Sequence, residues 1–115
     1  MNDATIDAVT FAELQCAAGA DFVKELIDTF LEEAPPMLEE LRDTLAAGNA
    51  DAFRRAAHTL KSNSNTFGAL ALGGLARELE LNGLDHARRS NAGSLEAISR
   101  EYARVAAALA ELRNA

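Results

Sequence analysis

Leu95, Ile98, Tyr102, Val105, Leu109 and Leu112 follow one another at spacings of 3, 4, 3, 4 and 3 residues. That alternation lines one side of a helix with apolar groups and defines the seam of a bundle helix. A chain with such a seam must supply other helices to cover it. The spacing predicts a last helix that begins between Asn91 and Ser94.

Three earlier segments repeat the pattern. Phe22, Leu26, Phe30, Ala34, Leu38, Leu41 and Leu45 form a stripe with spacings of 3 and 4, and Asp21 is placed to cap it. Pro35 and Pro36 interrupt it, and a proline inside a helix removes an amide donor and crowds the preceding turn. Because the stripe keeps phase across them, one bent helix is expected rather than two. Glu32, Glu33, Glu39 and Glu40 read as a solvated acidic face, since adjacent residues on a helix point apart. Gly48 and Asn49 end this element and cap the next, with Asp51 in its first turn. A third helix, from about Ala50 to Phe67, has the core line Phe53, Ala57, Leu60, Ser64 and Phe67, and Gly68 terminates it. Leu72, Leu75, Ala76 and Leu79 form the inner face of a fourth helix that Asn82 and Gly83 close. The third and fourth helices are joined so tightly near Gly68 that they must be antiparallel neighbours. Residues 84–91 read as a linker.

Ahead of these, residues 1–9 lack periodicity and read as a loose lead-in. Thr10-Phe11-Ala12-Glu13 supplies a capping box, with Val9 and Leu14 spaced for a hydrophobic staple, so a short helix is expected from Thr10 to about Gly19. The fold class is therefore all-α: an antiparallel four-helix bundle with a short additional N-terminal helix, one domain over residues 1–115.

Composition narrows the function. Eighteen acidic against eleven basic residues give a formal charge of −7, which argues against nucleic-acid binding. No apolar run approaches a membrane span, and the acidic N-terminus is unlike a signal peptide, so no membrane association is expected. The single Cys16 has no partner within the chain and no zinc or CxxC spacing surrounds it, which suits a reducing compartment; a cytoplasmic location is expected. Gly68, Gly73 and Gly74 lack the GK[ST] ending and the preceding strand of a phosphate loop, and packing and chain reversal account for them. His86 stands apart from any metal-ligand spacing and reads as a solvated histidine.

His58 is different. With the core line of the third helix near 0°, it falls roughly 140° away at ~100° per residue, on the wet face beside Arg54, Ser62 and Asn65. Positions three and four residues away hold Arg54, Arg55, Lys61 and Ser62. This is a basic spot on an acidic chain, around an imidazole whose neutral form is a nucleophile at cellular pH. Such a spot attracts a phosphoryl group. No nucleotide-binding motif or metal cluster accompanies it, so a partner must bring the phosphoryl donor, and no autonomous kinase activity is expected.

The segment His58-Thr59-Leu60-Lys61-Ser62, Gly68 ten residues after the histidine, and Leu79-Glu80 on the next helix closely resemble histidine-containing phosphotransfer (HPt) domains. Phe30-Leu31-Glu32-Glu33-Ala34-Pro35 is similar to that family's proline-interrupted helix. The resemblance implies a phosphorelay intermediate that takes a phosphoryl group from a receiver-domain aspartate and passes it, reversibly, to another receiver. It implies that His58 is the acceptor through Nε2, that Lys61 attracts the phosphoryl oxygens, and that Glu80 stands where a side chain can hydrogen-bond the other ring nitrogen. Glu80 is otherwise a solvated residue on a helix flank. Ser62 takes a position where the family often has glycine. Arg54, Arg55, Ser62 and Asn65 become the partner-binding surface and Gly68 a structural residue. No cofactor is expected on this chain, and Mg2+ is expected on the partner receiver. The expected partners are response-regulator receivers, with a hybrid sensor kinase among the candidates, and the expected state is a monomer. Two rivals account for the same residues less well. A docking-only bundle would not need both His58 and Lys61. The phosphoacceptor part of a sensor kinase usually follows its histidine with an acidic residue, where this chain has Thr59.

Overall fold

The computed structural model describes residues 5–89 and 93–114 as five helices: α1 (Ala8–Ala18), α2 (Ala20–Ala47), α3 (Ala50–Thr66), α4 (Leu70–Arg89) and α5 (Gly93–Asn114). Residues 1–4 of the expected lead-in, and Ser90 and Asn91 of the expected linker, lie outside the described residues. No strand occurs among the described residues. α2 to α5 make the four-helix bundle and α1 is the short additional helix. At about 1.5 Å per residue, the 28 residues of α2 account for the molecule's 41 Å long axis.

The register is antiparallel throughout. Asp28 pairs with Arg113 and Arg42 with Ser99, so α5 runs back along α2. His58 meets Glu80, and Asn65 lies against Gly73, so α4 runs back along α3. Phe30 is the hub of the interior. Its ring lies 5.4 Å from that of Phe67 and 6.0 Å from that of Tyr102, tilted against both, which ties α2 to the end of α3 and to α5.

α1 is capped three residues earlier than expected, at residue 7 instead of Thr10. Asp7 is the N-cap, its side chain accepting from the Thr10 amide at 3.0 Å and from the Thr10 hydroxyl at 2.7 Å. Val9 is 66 % exposed and staples nothing, whereas Ile6 and Phe11, which flank the true cap at staple spacing, are buried. Gly19, at φ 92°, closes α1 by donating to Gln15 and opens α2 by accepting from Val23, so Asp21 falls inside the first turn of α2 instead of capping it. There it still faces the positive end of the helix dipole.

The buried line of α2 is Val23, Ile27, Phe30, Ala34, Leu38, Leu41 and Thr44. Phe22, expected in the core, is 52 % exposed, and Leu45 is half-buried. Side chains one residue apart differ by about 100°, so Phe22 and Val23 both fit a spacing of 4 to the next apolar pair, and the packing chose the smaller one. α2 continues unbroken through Pro35 and Pro36. Both prolines are exposed, so their rings lie on the water-facing side of the helix. Thr44 satisfies its buried hydroxyl by donating to the Glu40 carbonyl at 2.7 Å.

Gly48 ends α2 at φ 74°, its amide donating to Leu45 and Thr44, and the Arg88 guanidinium lies beside it, within 3.6 to 3.9 Å of where a Cβ would stand. A cation there complements the negative end of α2. Asn49 caps α3 by accepting from the Ala52 amide at 3.1 Å, and Phe53, Ala56, Ala57, Leu60 and Ser64 are buried. The linker expected at 84–91 is mostly absent. Gly83, at φ 81° and ψ 179°, does interrupt α4 as its sequence suggests, but helix resumes to Arg89 with Leu84 and Ala87 buried. Those two side chains supply the apolar contact that keeps the segment docked. In α5 the seam holds from Leu95 to Leu109, while Leu112 is 37 % exposed at the end of the bundle.

Candidate functional site

His58 sits in the third turn of α3, on the face opposite Leu60 and Ser64, with 56 % of its side chain exposed. The α3–α4 turn decides what faces it. Thr66 ends α3, Phe67 is its C-cap, and Gly68 turns the chain at φ 85° so that α4 returns alongside. A non-glycine residue at that φ is strained, and a Cβ on Gly68 would lie 2.9 Å from the Asp7 carbonyl oxygen. The same turn accepts a hydrogen bond from the Asp7 amide at 2.8 Å, which anchors the start of α1 on it.

Counting back from this turn, α4 brings Glu80 against both His58 and Lys61. The His58 Nδ1 and the Glu80 Oε2 are 2.8 Å apart, and the Lys61 Nζ is 2.8 Å from the Glu80 Oε1. The carboxylate therefore bridges two residues one turn apart on α3. The Lys61 ammonium, and then the His58 ring, hold the Glu80 carboxyl below its ordinary value of 4.5, against the opposing effect of burial. An ionised carboxylate can only accept, so Nδ1 carries the hydrogen and donates it. A neutral ring in that tautomer has its lone pair on Nε2.

Arg54, Arg55, Thr59 and Glu80 line the shallow cleft around His58, with a volume of about 390 Å³. Arg54 is 3.7 Å from Asp51 on the same helix face. Ser62 and Asn65 are exposed on the same face of α3, and the Asn65 amide lies over Gly73, where a Cβ would stand only 2.0 Å from its Oδ1. Asn65 is thus partly committed to the α3–α4 contact. Thr59 lines the cleft without having stood out in the sequence. It is one residue from His58, about 100° around the helix, so a search at i±3 and i±4 passes over it. His86 is exposed on the last part of α4 and takes no part in this site. Among the described residues, no group of three or more His, Cys, Asp or Glu side chains could hold a metal ion.

A family model described as "Hpt domain" matches residues 25–115. The chain belongs to the Hpt domain family. This Hpt domain is also similar to a solved structure, histidine-containing phosphotransfer protein B (HptB) from Pseudomonas aeruginosa PAO1. The two are 32 % identical over 98 % of this chain and 97 % of that one, with a TM-score of 0.82. A comparison with curated protein sequences finds no match. The Hpt domain acts as a histidine phosphotransfer intermediate of two-component phosphorelays, in which such domains interact with response-regulator receivers. The helical bundle is that of the family, and no described helix is long and apolar enough to cross a membrane.

Proposed function

We propose that His58 is the phosphoacceptor and that Nε2 is the reacting atom. The observation that carries this reading is the 2.8 Å contact between Nδ1 and Glu80, which leaves Nε2 as the ring nitrogen available to a partner on an exposed side chain. In the reaction, the Nε2 lone pair attacks the phosphorus of a receiver's aspartyl phosphate. The P–N bond forms, the P–O bond to the aspartate breaks, and that carboxylate leaves with the bonding pair. No proton has to move. The ring becomes a phosphorylated imidazolium with its hydrogen still on Nδ1, and the Glu80 carboxylate offsets the positive charge that develops there. Return transfer to a second receiver runs the same steps backwards.

Arg54 and Arg55, exposed beside His58, supply positive charge to the phosphoryl oxygens and to the acidic site of the docking receiver. Ser62 and Asn65 complete the contact surface, and Ser62 is small enough to keep the approach to the ring open. Mg2+ belongs to the partner receiver, where it neutralises the aspartyl phosphate. The receiver of a hybrid sensor kinase is a suitable donor. A monomer is the working form in this reading.

The test is incubation with a phosphorylated receiver domain followed by detection of an acid-labile phosphoryl group on this chain. Wild type acquires the label at His58. His58→Gln acquires none and keeps its helical circular dichroism, and labelling of that variant at the wild-type rate would end the proposal.

A further inference from the structure

Gly73 is buried in α4, where its backbone does not require a glycine. Its amide closes a helical bond to the Ala69 carbonyl at 2.9 Å, and it is not among the glycines with positive φ. A glycine inside a helix costs about 1 kcal/mol relative to alanine, so this one stands here for the space it leaves. The Asn65 carboxamide of α3 fills that space. We infer that Gly73 is a positioning residue for partner recognition, a slot in α4 that fixes where the Asn65 amide meets the docking receiver. This rests on receivers docking around His58.

The fit between the two residues is close. A Cβ at residue 73 would overlap the Asn65 Oδ1 and lie 2.8 Å from its Cγ, so the carboxamide can keep its place only over a glycine. The next residue shows the contrast, since a Cβ on Gly74 would meet nothing within 4 Å. Of this adjacent pair, one glycine is occupied and the other faces open space.

Asn65 is exposed, and it stands on the His58 side of α3 two helical turns further on, about 10 Å along the axis. Its carboxamide makes no hydrogen bond among the described residues. One acceptor oxygen and two N–H donors are therefore available to a partner, and the contact with α4 sets their place before the partner arrives. A group ordered in advance loses less freedom on binding. A receiver that covers His58 meets a neutral hydrogen-bonding group at a set distance from the acceptor, which a receiver of different contour would miss. The arginines attract any acidic partner, whereas a fixed amide discriminates among them.

A double-mutant cycle on the full chain tests this with wild type, Gly73→Ala, Asn65→Ala and the double variant, and Gly74→Ala as the control. The readouts are the dissociation constant of a receiver domain that binds the wild-type chain, and the His58 ring signals by nitrogen NMR. Gly73→Ala is expected to weaken binding about fivefold, the size of one neutral hydrogen bond. In the Asn65→Ala background the same change is expected to cost less than about twofold. Gly74→Ala should leave binding unchanged. The His58 signals should stay in place in every variant. An equal loss in both backgrounds, no loss in either, or a loss accompanied by shifted His58 signals would make Gly73 a packing residue of α4 and overturn the inference. Asn65→Gln supplies a second test at an exposed position, should Gly73→Ala fail to fold. It keeps the carboxamide but is one methylene too long for the slot, so it should bind as weakly as Asn65→Ala, and wild-type affinity would overturn the inference. Binding needs no phosphoryl transfer, so the cycle still decides the role of Gly73 if wild type takes no label, an outcome that counts against the acceptor assignment alone.

Discussion

A Cβ at residue 68 would lie 2.9 Å from the Asp7 carbonyl oxygen and 3.1 Å from the Thr10 Cβ, on a backbone at φ 85°. Gly68→Ala therefore combines left-handed strain, about 1–2 kcal/mol, with a clash against backbone that cannot swing aside. Thermal unfolding should show a loss at least that large, and an unchanged midpoint would mean that the turn relaxes freely. Ser64 gives the opposite prediction. Its Oγ is fully buried without a hydrogen-bond partner, so Ser64→Ala removes a desolvated hydroxyl and improves helix propensity. The variant should gain about 1 kcal/mol, and a loss of stability would show that the hydroxyl is satisfied in solution. At this scale the sequence was informative where a residue's chemistry is local. The exposure of His58 and its basic neighbours follow from helical spacing alone, and a count back from Gly68 brings Glu80 opposite the ring. The direction of the Lys61 side chain was not legible, because it can reach outward or toward α4, and only the position of Glu80 on α4 decides between them.

The helices that carry the site are defined by their ends. Asn49 caps α3 by accepting from Ala52 at 3.1 Å, more than two turns before His58. Asn49→Ala should cost about 1 kcal/mol in chemical denaturation while leaving the rate of phosphoryl acceptance within about twofold. A large rate loss at unchanged stability would mean that the cap sets the register of the site. This cap was readable because asparagine follows a C-terminal glycine and precedes an apolar line. The start of α1 was misread for a related reason. Thr10 and Asp7 are both competent caps, and the choice went to the residue whose neighbours Ile6 and Phe11 could be buried and whose amide could reach Gly68. Propensity does not contain that tertiary contact. The segment after Gly83 shows the same limit. The glycine does break the helix, but the helix resumes because Leu84 and Ala87 find cover, and a window of mixed polar residues gives no sign of it.

Over the whole molecule, the net charge of −7 makes the arginines of the His58 cleft a local exception that a receiver can sense over a Debye length, about 10 Å at 0.1 M salt. Arg55→Glu should weaken receiver binding several-fold at low ionic strength and much less at high, and a salt-independent loss would remove Arg55 from the interface. The fold class was legible from four apolar stripes, whereas the links between helices far apart in sequence were not, since spacing along one helix does not name a residue on another. Asp28 on α2 and Arg113 on α5 are such a link, forked at 2.6 and 2.9 Å. The Arg113 hydrogen bond holds the Asp28 carboxyl below its ordinary value of 3.8. Thr10 does the same to Asp7, and Lys61 with His58 to Glu80. Each lowered carboxyl fixes the sign of the pH dependence. Above the ordinary carboxylate values, folded and unfolded chains are both ionised and the contribution is complete. As pH falls below them the unfolded chain takes up protons first, so stability drops and the contribution is gone once the folded carboxyls are protonated too. The thermal midpoint should therefore lose nothing from these three groups above about pH 5 and decline below it. Asp28→Asn should lower the midpoint at neutral pH, with the difference from wild type closing toward zero in acid. A difference that stays constant with pH would show that the ionised carboxylate is not what joins α2 to α5.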